Sequence, residues 1–191
     1  MVKRRNLNRD KVVRKAAELA DEAGRPEAVT LTGLAAALDV RVPSLYNHVA
    51  SLDDLQLGMA LYGGRLLIGR VREAALGKVG QEAILAVAHA YRRFAHEHPG
   101  IYPLLIRAPD PGEEERTAVA QELLQIFLLL LASCGIQGDD ALHAIRGLRA
   151  VVHGFVTLEA AEGFKMDIEA DESYERAVRV YLVGLDIMRN A

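Results

Sequence analysis

The chain has 191 residues, 51% apolar and 26% charged, a composition that excludes disorder and fits either one large domain or a small domain attached to a larger one. Aromatic residues make up 5%, Trp is absent, and Ala, Leu, Glu and Arg abound, so the expected fold class is all-α. The net charge of −3 argues against indiscriminate nucleic-acid binding. It is uneven, however: residues 1–15 hold seven Lys/Arg against one acid, whereas residues 56–191 hold 14 Lys/Arg against 18 Asp/Glu, which places a basic working end on a mildly acidic body.

Lys3, Arg4 and Arg5 precede no apolar stretch of signal-peptide type. Asn8 is a good N-cap for a first helix whose apolar positions Val12, Val13, Ala16, Leu19 and Ala20 recur at helical spacing, and Gly24 followed by Pro26 ends it. Thr30 caps a very short second helix carrying Leu31, Leu34, Ala35 and Leu38. A third runs from Val42 to Val49 with Pro43 in its first turn, where a missing N–H costs little. Ser51 and Asp54 have capping-box spacing at the start of a long fourth helix, Leu52 to about Ala75. Helices this short are marginal alone, so the second and third must be held against the first. With the tight turn Asp39-Val40-Arg41 between them, this is the layout of a helix-turn-helix unit.

Further helices are predicted from about Gln81 to Glu97, Ile101 to Ile106, Glu113 to Ser133, a cap at Asp139 or Asp140 to about Glu162, and Ser173 to Arg189, giving about nine in all, with the acidic stretch Asp167 to Glu172 as a loop. A three-helix head is thus joined by a long helix to a larger helical bundle. The run 126–131 is apolar on all sides and places its helix at the centre of the larger core; it is too short to cross a bilayer, so no membrane partner is expected. Four glycines in the fourth helix, Gly58, Gly63, Gly64 and Gly69, admit two readings: close helix packing, or a bend at Gly63-Gly64 where a ligand sits.

Positions Ala141, Ile145, Leu148, Val152 and Phe155 form a heptad-like seam, as do Tyr174, Val178, Tyr181, Leu185 and Met188. Such seams face either the chain's own core or a second copy. Val151, Leu158, Val180, Leu182 and Val183 lie off the seams and supply a surplus apolar face, which is what a four-helix bundle between two copies uses. A two-fold homodimer is expected, with Leu148, Val152, Tyr174, Val178, Tyr181, Leu185 and Met188 at its interface.

The chemistry-bearing residues point away from catalysis. His96 and His98 are two apart and leave a helix on different sides, so with His89 they make no metal set. Cys134 has no evident base beside it; as the lone cysteine it excludes an internal disulfide and fits a reducing cytoplasm. No phosphate-cradling Gly loop and no Ser/His/Asp arrangement is present, so neither enzyme activity, a cofactor nor a metal is expected.

Residues 30–49, with Leu34-Ala35, Leu38, Val40, Leu45-Tyr46 and His48-Val49, followed by Leu55 and preceded by Gly24, resemble the DNA-binding unit of the TetR family of transcriptional regulators. The match covers about residues 9–55. A weaker similarity at Val152-His153-Gly154-Phe155, with His98-Pro99 and Tyr102, fits one C-terminal group of that family with a His-Gly signature. The resemblance implies a helix-turn-helix DNA-binding domain at 1–55 and an effector-binding and dimerisation domain at 56–191. It also implies a ligand-responsive repressor, released from a pseudo-palindromic double-stranded DNA operator by a small, largely hydrophobic effector.

Matched position by position, the family's DNA-contacting places fall on Thr30, Thr32, Val42, Pro43, Ser44, Tyr46 and His48. The residues themselves agree: Leu45 and Val49, four apart, can face the core, which leaves Val42 to Ser44 and Tyr46 to His48, Asn47 included, directed outward. Gly33 and Leu52 stand where the family often has a basic residue. Either Lys3 to Arg5, with Arg9 and Arg41, supplies the lost attraction, or the arm is a solvated tail. An effector cavity is expected from Tyr62, Leu66, Phe94, Tyr102, Leu105, Phe127, His153 and Phe155, with His153 either a ligand partner or a structural histidine. The rival reading is a helical small-molecule-binding protein or enzyme whose helix-turn-helix docks a protein. It lacks a paired catalytic constellation.

Overall fold

The computed structural model describes residues 7–189, the side chains of 187–189 excepted, so Lys3, Arg4, Arg5 and the Met188 side chain lie outside the described residues. Among the described residues there are eight α-helices and no strand: α1 Arg9–Ala23, α2 Leu31–Leu38, α3 Val42–Leu45, α4 Leu52–Ala75, α5 Gly80–Glu97, α6 Glu114–Ala132, α7 Gly138–Ala160 and α8 Ala170–Arg189. Single 3-10 turns at Pro26–Ala28 and Tyr102–Leu105 complete the set, the second where a short helix is predicted.

Local capping chemistry sets the early boundaries. The Asn8 side chain accepts from the Lys11 N–H at 2.9 Å, and Gly24 closes α1 in the left-handed region at φ 70°. Thr30 Oγ1 accepts from Gly33 N at 3.1 Å, and Ser51 Oγ accepts from Asp54 N at 3.1 Å. Later boundaries differ from expectation. Gln137, not an aspartate, occupies the N-cap of α7, and Asp139 and Asp140 lie in its first turn. α8 begins three residues before Ser173, so Asp171 and Glu172 are helical rather than part of a loop; carboxylates in a first turn are stabilised by the positive end of the helix dipole.

The chain divides into two compact units: residues up to Leu66 with Glu97–Ala120, and Leu67–His96 with the residues from Gln121 onward. A boundary at residue 55 does not anticipate that the segment after α5 returns to α1. Near the end of α1, Asp21 makes that return specific. Its carboxylate accepts from Gly100 N at 2.9 Å and Ile101 N at 3.1 Å, and its other oxygen lies 2.7 Å from His98 Nδ1. A β-carbon on Gly100 would fall inside the van der Waals surface of the Ala20 carbonyl and the Asp21 nitrogen. Close packing also accounts for three glycines of α4. A β-carbon would come within 2.7 Å of Val13 at Gly58, 3.1 Å of Ile101 at Gly63 and 2.5 Å of Val119 at Gly64.

In the second unit the seams of α7 and α8 turn inward. Leu148, Val152, Tyr174 and Val178 are 5, 4, 0 and 0% exposed within a single chain, which corrects their expected place at a dimer interface. Tyr174 donates its hydroxyl to the Ala88 carbonyl at 2.6 Å, and burial pushes that phenol well above its ordinary pKa. The Arg92 guanidinium lies 4.8 Å from the Tyr174 ring centroid and 5.5 Å from that of Phe155 while binding Glu159 through two hydrogen bonds of 2.9 and 2.5 Å. Burial opposes ionisation of Glu159, but hydrogen bonds from Arg92 and His96 hold its pKa below the usual carboxylate range. Helix α6 is not the centre of a core: only Leu131 of it is buried, and Leu129 is 71% exposed. An apolar run longer than one turn points in every direction, and only one side of a helix can face its unit's interior.

Gly100→Ala is expected to destabilise the protein by about 3 kcal/mol or more, because the new methyl meets helix backbone that cannot rotate aside. A thermal unfolding midpoint equal to that of the natural chain would contradict this docking.

Candidate nucleic-acid interface

Helix α2 packs Leu34 and Ala35 inward and ends at Asp39, whose backbone adopts φ 56°, ψ 48°. Its N–H bonds the Ala36 carbonyl at 3.1 Å, and Val40 N bonds Ala35 O at 3.0 Å. This left-handed cap reverses the chain toward α3, and a short aspartate side chain tolerates it. The third helix is shorter than the predicted Val42 to Val49. It has one turn, Val42–Leu45, and then continues as a hydrogen-bonded turn in which His48 N and Val49 N both reach Leu45 O, at 2.8 and 3.0 Å.

Leu45 and Val49 are 0 and 2% exposed and anchor this element from behind. On its other side Tyr46 is 55% exposed, Asn47 and Pro43 are exposed, and Val42, Ser44 and His48 are half-buried. Thr30 and Thr32 are exposed at the start of α2. All eight expected DNA-contacting side chains therefore retain solvent-accessible surface, on two consecutive short helices of one unit. The arrangement offers hydroxyls, an amide and an imidazole to phosphates and base edges, and apolar groups to thymine methyls.

Arg9 has a different role from that expected of a cation in the basic arm. Its guanidinium grips the Asp54 carboxylate with bonds of 2.8 and 2.6 Å and donates to the His48 carbonyl at 2.9 Å. Asp54 also accepts from Ala50 N at 2.8 Å. Led by the hydrogen bond from Arg9, these interactions bring the Asp54 pKa down to about 2. Charge alone does not reveal this arrangement, since the partners are 45 residues apart in sequence.

The eight expected effector residues divide between the units. Tyr62, Leu66, Tyr102 and Leu105 belong to the first, and Phe94, Phe127, His153 and Phe155 to the second. Phe94 and Tyr102 are buried, 1 and 6% exposed; the other six are half-buried. Arg14 lies over the Tyr62 ring, 5.9 Å from its centroid, and Phe155 meets Phe164 at 4.8 Å between centroids. A groove of about 860 Å³ that the sequence does not disclose runs between α7 and α8, lined by Ile136, Asp140, His143, Tyr181 and Leu185 among others. It includes two of the seven expected dimer residues, Tyr181 and Leu185. Tyr181 covers Gly147, where a β-carbon would collide with its ring, and donates to Ala144 O at 2.9 Å.

Residues 84–181 match the family described as tetracyclin repressor-like, C-terminal domain. The uncharacterized HTH-type transcriptional regulator YobS of Bacillus subtilis (strain 168) is 35% identical over 187 residues, 97% of this chain and 96% of the relative. The similarly designated Rv0681 of Mycobacterium tuberculosis is 33% identical, over 94% of this chain and 82% of the relative. Among solved structures, a TetR variant from Acinetobacter baumannii AYE, in complex with minocycline, superposes with a TM-score of 0.74 at 19% identity, covering 97% of this chain and 96% of the other. The chain belongs to the TetR family of HTH-type transcriptional regulators.

Because the folded-state pKa of Asp54 is depressed from 3.8 to about 2, the stability it contributes is complete above about pH 4 and is lost as pH falls through 2. Asp54→Asn is expected to lower the urea midpoint at pH 7, with the gap to the natural protein closing as acid is added. A gap that is constant down to pH 2 would show that Asp54 acts without its charge.

Proposed function

We propose that two copies of the chain bind a pseudo-palindromic operator and repress transcription, and that a small, largely hydrophobic effector releases them. The observation that carries the reading is the outward display of Tyr46, Asn47 and their neighbours over the buried pair Leu45 and Val49. In a dimer, two such elements enter successive major grooves with half-site centres ~34–36 Å apart. An effector that binds better when the two heads are out of register must weaken DNA affinity by the same factor, by linkage. The minocycline bound to the Acinetobacter protein supports an effector of small organic kind.

In this reading residues 1–55 read DNA, and residues 56–191 take the effector and dimerise, without catalysis and in the cytoplasm. The effector-contact candidates are Tyr62, Leu66, Leu105, Phe127, His153 and Phe155, all half-buried, with the buried rings of Phe94 and Tyr102. The dimer face is the apolar surface that one chain leaves exposed beside its groove: Val180 at 72%, Val183 at 54% and Leu142 at 38%, with Tyr181 and Leu185.

Tyr46→Ala is expected to weaken binding to a duplex enriched from random-sequence DNA by about tenfold while leaving the melting temperature in place, since the side chain is 55% exposed. Equal affinity at matched salt would remove the recognition assignment. Combining Val180→Asp with Val183→Asp should yield a helical monomer by sedimentation; a persistent dimer would mean that the two copies meet elsewhere.

A further inference from the structure

We propose that Arg9 is a positioning residue for DNA recognition: through its fork with Asp54 and the His48 carbonyl it fixes the turn that presents Tyr46, Asn47 and His48, and it does not itself neutralise a phosphate. The proposal rests on the DNA-binding reading and assigns within it a residue far from the recognition element in sequence.

The argument begins with the length of α3. A helix of four residues has no hydrogen-bond ladder able to fix its own direction, so its orientation is set by what touches it. Leu45 and Val49 anchor one side. The turn that follows carries backbone groups that no helical ladder pairs, and side chains can take them. Two groups at the end of the turn, on either side of Val49, both end in one ion pair: Arg9 donates to the His48 carbonyl at 2.9 Å, and Asp54 accepts from the Ala50 N–H at 2.8 Å. Arg9 and Asp54 are joined by two bonds of 2.8 and 2.6 Å, with Arg9 Nη2 also 3.4 Å from the Asp54 carbonyl. A planar guanidinium gripping a carboxylate at two points has a defined plane as well as a defined distance, which a single ammonium cannot supply.

A second observation comes from α4. Gly58 stands one turn after Asp54, and the place of its missing β-carbon is 2.7 Å from Val13 Cγ2 and 3.7 Å from Arg9 Nη2. The absent side chain lets α1 approach α4 closely enough for the guanidinium to reach across. The same geometry disqualifies Arg9 as a phosphate contact. Its two terminal nitrogens are committed to a carboxylate, and an incoming phosphate would meet the negative charge of Asp54 beside it. Over residues 7–55 the chain holds six Lys/Arg against eight Asp/Glu, so each cation already paired leaves the head less able to attract a polyanion.

The test uses full-length protein, a duplex enriched by it from random-sequence DNA, and a scrambled duplex of equal length, each titrated over a range of salt. Arg9→Ala should weaken the enriched duplex about tenfold or more while the scrambled duplex and the salt slope hold, so the ratio of the two affinities falls. Arg9→Lys, which keeps the charge but loses the fork, should show most of the same loss. Asp54→Asn should lower the ratio as well, and it stands in if Arg9→Ala does not fold. Exchanging the pair, Arg9→Asp with Asp54→Arg, should recover part of the ratio. The proposal is overturned if both affinities fall together with a slope reduced by about 0.9, the signature of one lost phosphate contact. It is equally overturned if the ratio is unchanged, the outcome of a purely structural role. Should the natural protein itself not discriminate between the duplexes, the DNA reading falls first and this assignment with it.

Discussion

A one-turn helix has no direction of its own in water, and the surface proposed to read DNA is built around one. The neighbours of α3 set its pose. From behind, Leu45 and Val49 are driven into the interior by the hydrophobic effect, which is strong but non-directional and leaves rotation of the turn free. Directional polar groups remove that freedom, and they come from the first residue of α1 and the first turn of α4. The glycines that appear wasteful inside α4 follow from the same constraint: Gly58, Gly63 and Gly64 each leave room for an apolar side chain of a neighbouring segment.

The second unit solves a related problem with different chemistry. Long helices carry their own hydrogen-bond ladder, but three of them must be held in one register. Arg92 does so from α5 by stacking between Phe155 and Tyr174 while its polar edge engages Glu159 on α7 and Asp171 on α8. A charge that is 11% exposed is tolerable only because it is both paired and stacked. Removing either acid would leave Arg92 with less compensation than its burial requires.

Boundaries governed by neighbouring residues were legible in the sequence. Asn8, Gly24, Thr30 and Ser51 mark the helix ends at which they stand, because capping is chemistry across three or four positions. The inward pair Leu45 and Val49 was legible for the same reason. What periodicity cannot say is what covers a face. The seams at Leu148, Val152, Tyr174 and Val178 repeat as they would for a partner chain, yet their own unit buries them. Charge was misleading in two places: Asp171 and Glu172 read as loop residues but sit in a helical turn, and Arg9 read as one more cation of a basic arm although its partner lies 45 residues away. Interactions of that range leave no local trace.

The Asp21 clamp bears on how regulators of this architecture can be recombined. An acid near the C-terminal end of a helix is unfavourable beside the negative pole of the dipole, and here it is sustained by the Gly100 and Ile101 amides and the His98 ring. A chimaera grafted at residue 55 would transplant the acid without those donors. An exchange that keeps the clamp intact moves the segment from Glu97 to Ala120 together with the residues up to Leu66, so the compact unit to be exchanged is discontinuous in the chain.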